Sequence, residues 1–313
     1  MKNKIILTGK HGRPSTKEVY RQMSSGTLVQ RRQVFTKVGR KLIKQYYRKF
    51  INNNIETLIK ETELSFLNSI IVRWGTREEF ETDKTSIVYN QSKAIANATN
   101  KKLSREIFIE NNVSTPALVT PENFREEYLP IIARPLVHSK GKNFIVLKTP
   151  DNFIDHYSKN NEGWYYSQFI NKEREFRIHC AHGKVLAVME KSNPDNGNIA
   201  WNRAQNDTEP FTYVRWNNVD TQNLKCVLLE ALKATQAIGL DMSGVDVMLC
   251  GDTAYVLEVN TAPTLNTSEY VAGRWGRYFD WLFRVETRRE HWDFTQFKKG
   301  SSLIWKNEQL NNG

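Results

Sequence analysis

Residues 244–265, Gly-Val-Asp-Val-Met-Leu-Cys-Gly-Asp-Thr-Ala-Tyr-Val-Leu-Glu-Val-Asn-Thr-Ala-Pro-Thr-Leu, constrain the chain more than any other stretch. Val245, Val247 and Leu249 alternate in a first run, and Tyr255, Leu257 and Val259 in a second. Such a period is that of half-buried β-strands. Gly251-Asp252 between them suits a hairpin turn. Asp246 then falls on the face opposite Val245 and Val247. Glu258 and Asn260, two apart, leave the second strand on one face, and the hairpin brings Asp246 roughly opposite them. Two carboxylates and a carboxamide oxygen converge, and hard oxygen donors of this kind suit Mg²⁺. A plain hairpin with a wet polar face fits the same pattern, so the rest of the chain has to decide.

The 313 residues, 39% apolar and 25% charged, have the composition of a soluble globular protein with room for two or three subdomains. No apolar run approaches the ~20 residues of a membrane span. The opening Met1-Lys-Asn-Lys-Ile-Ile-Leu-Thr is too short in apolar residues for a signal peptide. Cys180, Cys226 and Cys250 are odd in number and far apart, which supports neither a disulfide framework nor a zinc site. A cytoplasmic setting is the expectation. The net charge of +11 is concentrated: residues 19–55 hold no Asp or Glu but carry Arg21, Arg31, Arg32, Lys37, Arg40, Lys41, Lys44, Arg48 and Lys49. A helix is expected over 31–50. It reads as a solvated face, as a docking site for an acidic macromolecule, or as a membrane contact.

Further strands are expected over 4–8, 69–76, 87–90, 131–135, 144–147, 164–170, 175–180 and 184–191. Helices are expected over 92–98, from 102 onward, and over 224–238 with Gly239 as a cap. The first 80 residues show no clear βαβ start. The loop 136–143, with Lys140-Gly141-Lys142, is either an exposed hairpin tip or a cover for phosphates built from backbone N–H groups and lysines. Arg177 and Lys191 are cations inside strand patterns, facing either a cleft or solvent. Residues 268–312, rich in aromatics and cations, read as a closing helix or as a base-stacking surface.

Taken in order, these residues resemble the ATP-grasp ligases, especially the branch of glutathione synthetase and the ribosomal-protein glutamate ligases. The resemblance covers roughly 89–265. Its most specific part is Gly-Val-Asp246, then Glu258 twelve residues on, then Asn260 and Pro263. It implies an α+β fold in which two α+β subdomains clamp ATP, behind a basic N-terminal region. The implied division is 1–88 (helping to bind substrate), 89–166 (lid subdomain), 167–285 (subdomain with the metal site) and 286–313 (tail).

The resemblance implies that Asp246, Glu258 and Asn260 hold one or two Mg²⁺, or Mn²⁺ in its place. Lys101 would reach the nucleotide phosphates; Asn100-Lys101 stands where members have Asp-Lys. Arg134-Pro135 stands where many have Lys-Pro, a planar fork in place of a point charge. Lys140, Gly141 and Lys142 would cover the phosphates. Gln168, Phe169 and Ile170 would read adenine through the backbone, and Glu173 would accept the ribose hydroxyls. Arg177 and Lys191 would hold the transferred phosphate and acyl intermediate, with Asn202 as a further contact near the metals. Pro263-Thr264 departs from the usual Pro-Gly. The implied activity is ATP-dependent carboxylate-amine ligation: a carboxylate takes the γ-phosphate, and an amine, such as that of an amino acid, attacks the acyl phosphate. Two other readings remain open. One is a kinase acting on a hydroxyl. The other is a binding protein for nucleic acid or another acidic polymer, with a vestigial nucleotide site.

Overall fold

The computed structural model describes residues 5–9, 28–32, 70–77, 84, 86–136, 144–192, 212–215, 221–264 and 268–288. Three sheets organise them. The first is parallel and contains β1 (Ile5–Gly9), β2 (Leu28–Arg32), β3 (Ile70–Arg73) and β4 (Ile87–Tyr89), in the order β2-β1-β3-β4. Strands expected over 4–8, 69–76 and 87–90 are present as β1, β3 and β4; their parallel pairing and the strand β2 were not expected. Strand β2, Leu-Val-Gln-Arg-Arg, has no apolar run to reveal it. Arg31 and Arg32, expected to open a helix, end this strand instead; the rest of 31–50 lies outside the described residues.

The second sheet is antiparallel, in the order β10-β9-β8-β11-β12. Its strands are β8 (Arg174–Ala181), β9 (Lys184–Ser192), β10 (Thr212–Arg215), β11 (Met242–Cys250) and β12 (Thr253–Asn260). The third, also antiparallel, joins β5 (Ile131–Pro135), β6 (Ile145–Leu147) and β7 (Trp164–Gln168) in the order β6-β5-β7. The helices are α1 (Ser92–Thr99), α2 (Lys101–Glu110), α3 (Pro150–Asn160), α4 (Thr221–Ile238) and α5 (Glu269–Arg288). The sequence reading passed over α3, although Thr149 accepts from the Asn152 N–H and Pro150 starts the first turn. Phe153 is its one buried residue, so its apolar stripe was too thin to register.

Alternation along the strands decides what each face of the second sheet meets. Phe176, Ile178 and Cys180 of β8, with Val245, Val247 and Leu249 of β11, turn one way. They form a core with α4 and with Ala94, Ile95, Ala98 and Phe108 of α1 and α2. The opposite face is divided. One half is apolar: Ala181, Met189 and Met242 pack under Val271, Trp275, Tyr278, Phe279 and Leu282 of α5, together with Ile70, Val72 and Trp74 of the parallel sheet. Each of those five α5 side chains is at most 1% exposed. At ~1.5–3 kcal/mol for fully burying one large apolar side chain, that helix face is committed to the core rather than to base stacking. The other half carries charge and forms the site below. The third sheet has a separate core of Val119, Ile131, Ala133, Leu147, Phe153 and Tyr166.

Asn90 ties the parallel sheet to the second one. It is fully buried and adopts φ 58°, a conformation that asparagine tolerates better than most residues. Its Oδ1 accepts from the N–H groups of Asp241 and Met242 at 3.0 and 2.9 Å. Its Nδ2 donates to the carbonyls of Arg73 and Met242 at 3.3 and 3.0 Å. Its own N–H donates to Asp241 Oδ2 at 2.6 Å. The strand that bears Asp246 is thus fixed at its first residue. No helix among the described residues is long and apolar enough to cross a membrane.

Candidate active site

In the β11–β12 hairpin Asp246 pairs with Glu258 and Gly244 with Asn260, so the three oxygen-bearing side chains share one end of one face. A register shift then follows, and Val247 pairs with Val256. This bulge leaves Leu257 as an extra residue on β12. Val256 and Val259 enter the core, whereas Leu257, expected beside Tyr255 and Val259, lines the cleft instead. Simple alternation could not have shown that.

Glycine at 244 has a steric reason. A Cβ there would lie 2.6 Å from the Pro263 Cβ, because the exit of the hairpin folds back over it. Gly244→Ala is therefore expected to cost about 1–3 kcal/mol, since a proline ring cannot swing aside. A urea melt checks this; an unchanged midpoint would show that the exit segment yields freely.

Each acidic member of the trio is matched by a cation. Arg177, the register partner of Asp246 on β8, forms a bidentate pair with it at 2.7 and 2.6 Å. Burial pushes the Asp246 carboxyl up from its ordinary range, the Arg177 fork pulls it back, and Glu258 and Glu175 add to the push. Lys101 Nζ stands 3.1 Å from Glu258 Oε2. That ammonium, helped by Asn260 and Arg177, holds the Glu258 carboxyl down at about 2 against the opposing effect of burial. Asn260 Nδ2 donates to Glu258 Oε1 at 3.0 Å. Lys101 opens α2, whose cap is Asn100: its side chain accepts from the Leu103 N–H at 3.1 Å. Asparagine thus serves as a helix cap at this position.

Beside the trio opens a cleft between the second and third sheets. Arg134, Gln168, Phe169 and Ile170 line it, joined by Arg105, Lys172, Glu175 and Leu257. The N–H groups of Gln168 and Phe169 are committed to the carbonyls of Ala117 and Pro130, at 3.0 and 3.1 Å. Glu173 is not in the lining. Its side chain accepts from the Gly251 N–H at 3.0 Å and closes the hairpin turn. Glu175 is the glutamate facing the cleft, where Lys172 and Lys191 both hydrogen-bond to it. Burial lowers the Lys172 pKa; Glu175 offsets this, and Lys191 and Arg134 reinforce it. Glu175, Lys172 and Arg105 line the cleft and were not singled out by the sequence reading. Lys140, Gly141, Lys142 and Asn202 lie outside the described residues.

His179 is walled off from the cleft. It is fully buried, accepts from Trp275 Nε1–H at 3.1 Å, and is pushed down to about 3 by burial, with Arg177 adding to the effect. Among the described residues, no three His, Cys, Asp or Glu side chains gather as a metal cluster. Two carboxylates and a carboxamide on paired strands are nonetheless a donor set of the right hardness for Mg²⁺.

Comparison with known proteins bears on the family and the fold. The RimK-like ATP-grasp domain matches residues 98–274. A tetrahydromethanopterin:alpha-L-glutamate ligase of Methanocaldococcus jannaschii is 26% identical over 202 residues, 56% of this chain and 62% of that protein. The chain thus spans somewhat less than two thirds of that relative. A probable alpha-L-glutamate ligase of Haemophilus influenzae is 26% identical over 250 residues, covering 73% of this chain and 78% of the relative. Among solved structures, the D-alanine–D-alanine ligase of Bacillus anthracis complexed with ATP superposes with a TM-score of 0.55 at 15% identity, covering 91% of this chain and 98% of that one. At that identity the likeness speaks for the fold. With the domain match spanning the hairpin, both cation partners and the cleft, the chain belongs to the RimK-like ATP-grasp family.

Proposed function

We propose that the protein is an ATP-dependent carboxylate-amine ligase, forming an amide or peptide bond and releasing ADP and phosphate. The observation that carries this is the juxtaposition of Asp246, Glu258 and Asn260 with Arg177 and Lys101 beside a cleft lined by Arg134 and Lys172. Phosphoryl transfer needs positioning and charge neutralisation more than covalent help from the protein. Asp246, Glu258 and Asn260 would hold one or two Mg²⁺, which would supply charge neutralisation for a bound nucleotide. Lys101 and Arg177, now paired with carboxylates, are the cations available to the phosphates once those carboxylates hold metal. Glu175, rather than Glu173, is the carboxylate available to accept hydroxyl donors from a bound nucleotide.

In the first step a substrate carboxylate oxygen bonds to the γ-phosphorus, and the bond from that phosphorus to the β–γ bridging oxygen breaks. In the second, the amine nitrogen bonds to the acyl carbon, loses a proton, and phosphate departs. Lys191 and Arg177 would balance the charge of the acyl phosphate. We assign the amine to an amino acid, because the relatives are named as glutamate ligases. The division at 89, 167 and 286 and the role of the basic segment 19–55 belong to this proposal as well.

Hydroxylamine trapping tests it. Protein, Mg·ATP and fractionated extract are expected to give a hydroxamate with one ADP and one phosphate per turnover, read by mass spectrometry. ATP consumption with no free phosphate and a phosphorylated product would point to a kinase and overturn the ligase assignment.

A further inference from the structure

Arg105 sits in α2, four residues after Lys101, so both cations leave one face of that helix. It is 1% exposed. Its Nη1 donates to Thr115 Oγ1 at 2.7 Å and to the Pro116 carbonyl at 3.4 Å. Both acceptors are uncharged, and among the described residues no carboxylate pairs with it. Burial lowers its pKa; Tyr165 counters this, Arg134 reinforces it, and Glu258 gives the weakest pull back. Arginine nevertheless stays protonated in proteins.

A buried guanidinium without a paired anion is costly, and folded chains rarely keep one. The chain tolerates this one in the wall of the cleft, with Arg134 and Lys172 also lining it. Arg134 and Tyr165, whose fields both reach Arg105, are register partners on β5 and β7. An apolar residue would fill the same volume at less cost if packing were the only need.

We propose that Arg105 is a binding residue for the phosphates of a nucleoside di- or triphosphate in this cleft, its counter-charge arriving with the ligand. The inference rests on the reading of the cleft as the nucleotide site. It makes Arg105 a residue at which affinity and stability of the empty protein pull in opposite directions.

Arg105→Met is the test, because methionine keeps length and apolar contact while removing the charge. Calorimetric titration with ADP plus MgCl₂ is compared with titration by adenosine, and each empty protein is melted. The expected result is an ADP Kd raised about tenfold, an unchanged adenosine Kd, and a melting temperature of the empty variant that is equal or higher. ADP bound as tightly as by the wild type would overturn the proposal. So would equal loss of ADP and adenosine with a lower melting temperature, the signature of a structural prop. If the Met variant does not fold, Arg105→Lys decides: a loss of about threefold for ADP with adenosine unchanged is expected from replacing the fork by a point charge, and an unchanged ratio of the two overturns the idea. Wild-type protein that binds neither probe would instead bring down the nucleotide reading of the cleft, and this inference with it.

Discussion

Glu258→Gln is expected to lower ATP-dependent turnover by roughly 10³-fold, the scale of removing one preorganised charge contact from a transfer reaction, while leaving the protein folded. The carboxylate stands opposite Asp246 and is held at about 2 chiefly by Lys101. Glutamine keeps the shape and removes the charge. Its neighbours in the core, Val256 and Val259, are untouched. The lost pair with Lys101 is one-third exposed on the glutamate side, so screening limits its worth to ~1 kcal/mol or less. Phosphate release at saturating Mg·ATP and a urea melt separate the two effects. Near-native turnover would remove Glu258 from the metal site.

The pair also carries a pH signature. The folded carboxyl titrates below its ordinary value, so the pair's contribution is complete above that value and fades as pH falls towards about 2. The stability gap between wild type and Glu258→Gln, measured near neutral pH, is expected to close over that acid window. A gap independent of pH would mean that Lys101 does not hold Glu258 in solution.

Asn90→Ala is expected to be the most destabilising of the substitutions considered, by about 3–5 kcal/mol. The alanine abandons the N–H groups of Asp241 and Met242 and the carbonyls of Arg73 and Met242 inside the protein. Each abandoned buried group costs ~1–3 kcal/mol before relaxation, and a left-handed backbone adds ~1–2 kcal/mol for an alanine. Asn90→Gly separates these parts, because it keeps the backbone freedom and loses only the hydrogen bonds. Denaturant midpoints at unchanged slope provide the measurement. A loss below 1 kcal/mol for the alanine variant would show that water replaces the amide at this junction. Because Asn90 grips the first residue of β11, turnover of the folded fraction is expected to fall as well.

The convergence of Asp246, Glu258 and Asn260 on one face was legible in the sequence because residue type, spacing and strand period all bear on a single hairpin. Other parts were not, for identifiable reasons. The run Asn171-Lys172-Glu173-Arg174-Glu175 offers two glutamates, and which one faces the cleft depends on where β8 begins. The Glu173 N–H is tied to the Leu249 carbonyl and its side chain to Gly251, outside the alternation that places Glu175. Arg105 stands among Ser104 and Glu106 and reads as one more solvated helix charge. Only the fold of Thr115, Pro116 and Tyr165 around it reveals its burial. Strand β2 and the parallel pairing of the N-terminal sheet went unread because pairing between strands far apart in sequence, one of them polar, leaves no local period.

The separate core of the third sheet bears on how the cleft breathes with temperature. Val119, Ile131, Ala133, Leu147, Phe153 and Tyr166 pack among themselves, and none of them belongs to either core of the second sheet. The walls of the cleft therefore share no packed core, and widening it bares little packed hydrocarbon. A motion that uncovers little apolar surface has a small heat-capacity change. The balance between wider and narrower forms of the cleft should then shift only gently on warming, along a nearly straight van't Hoff line, until the cores themselves melt.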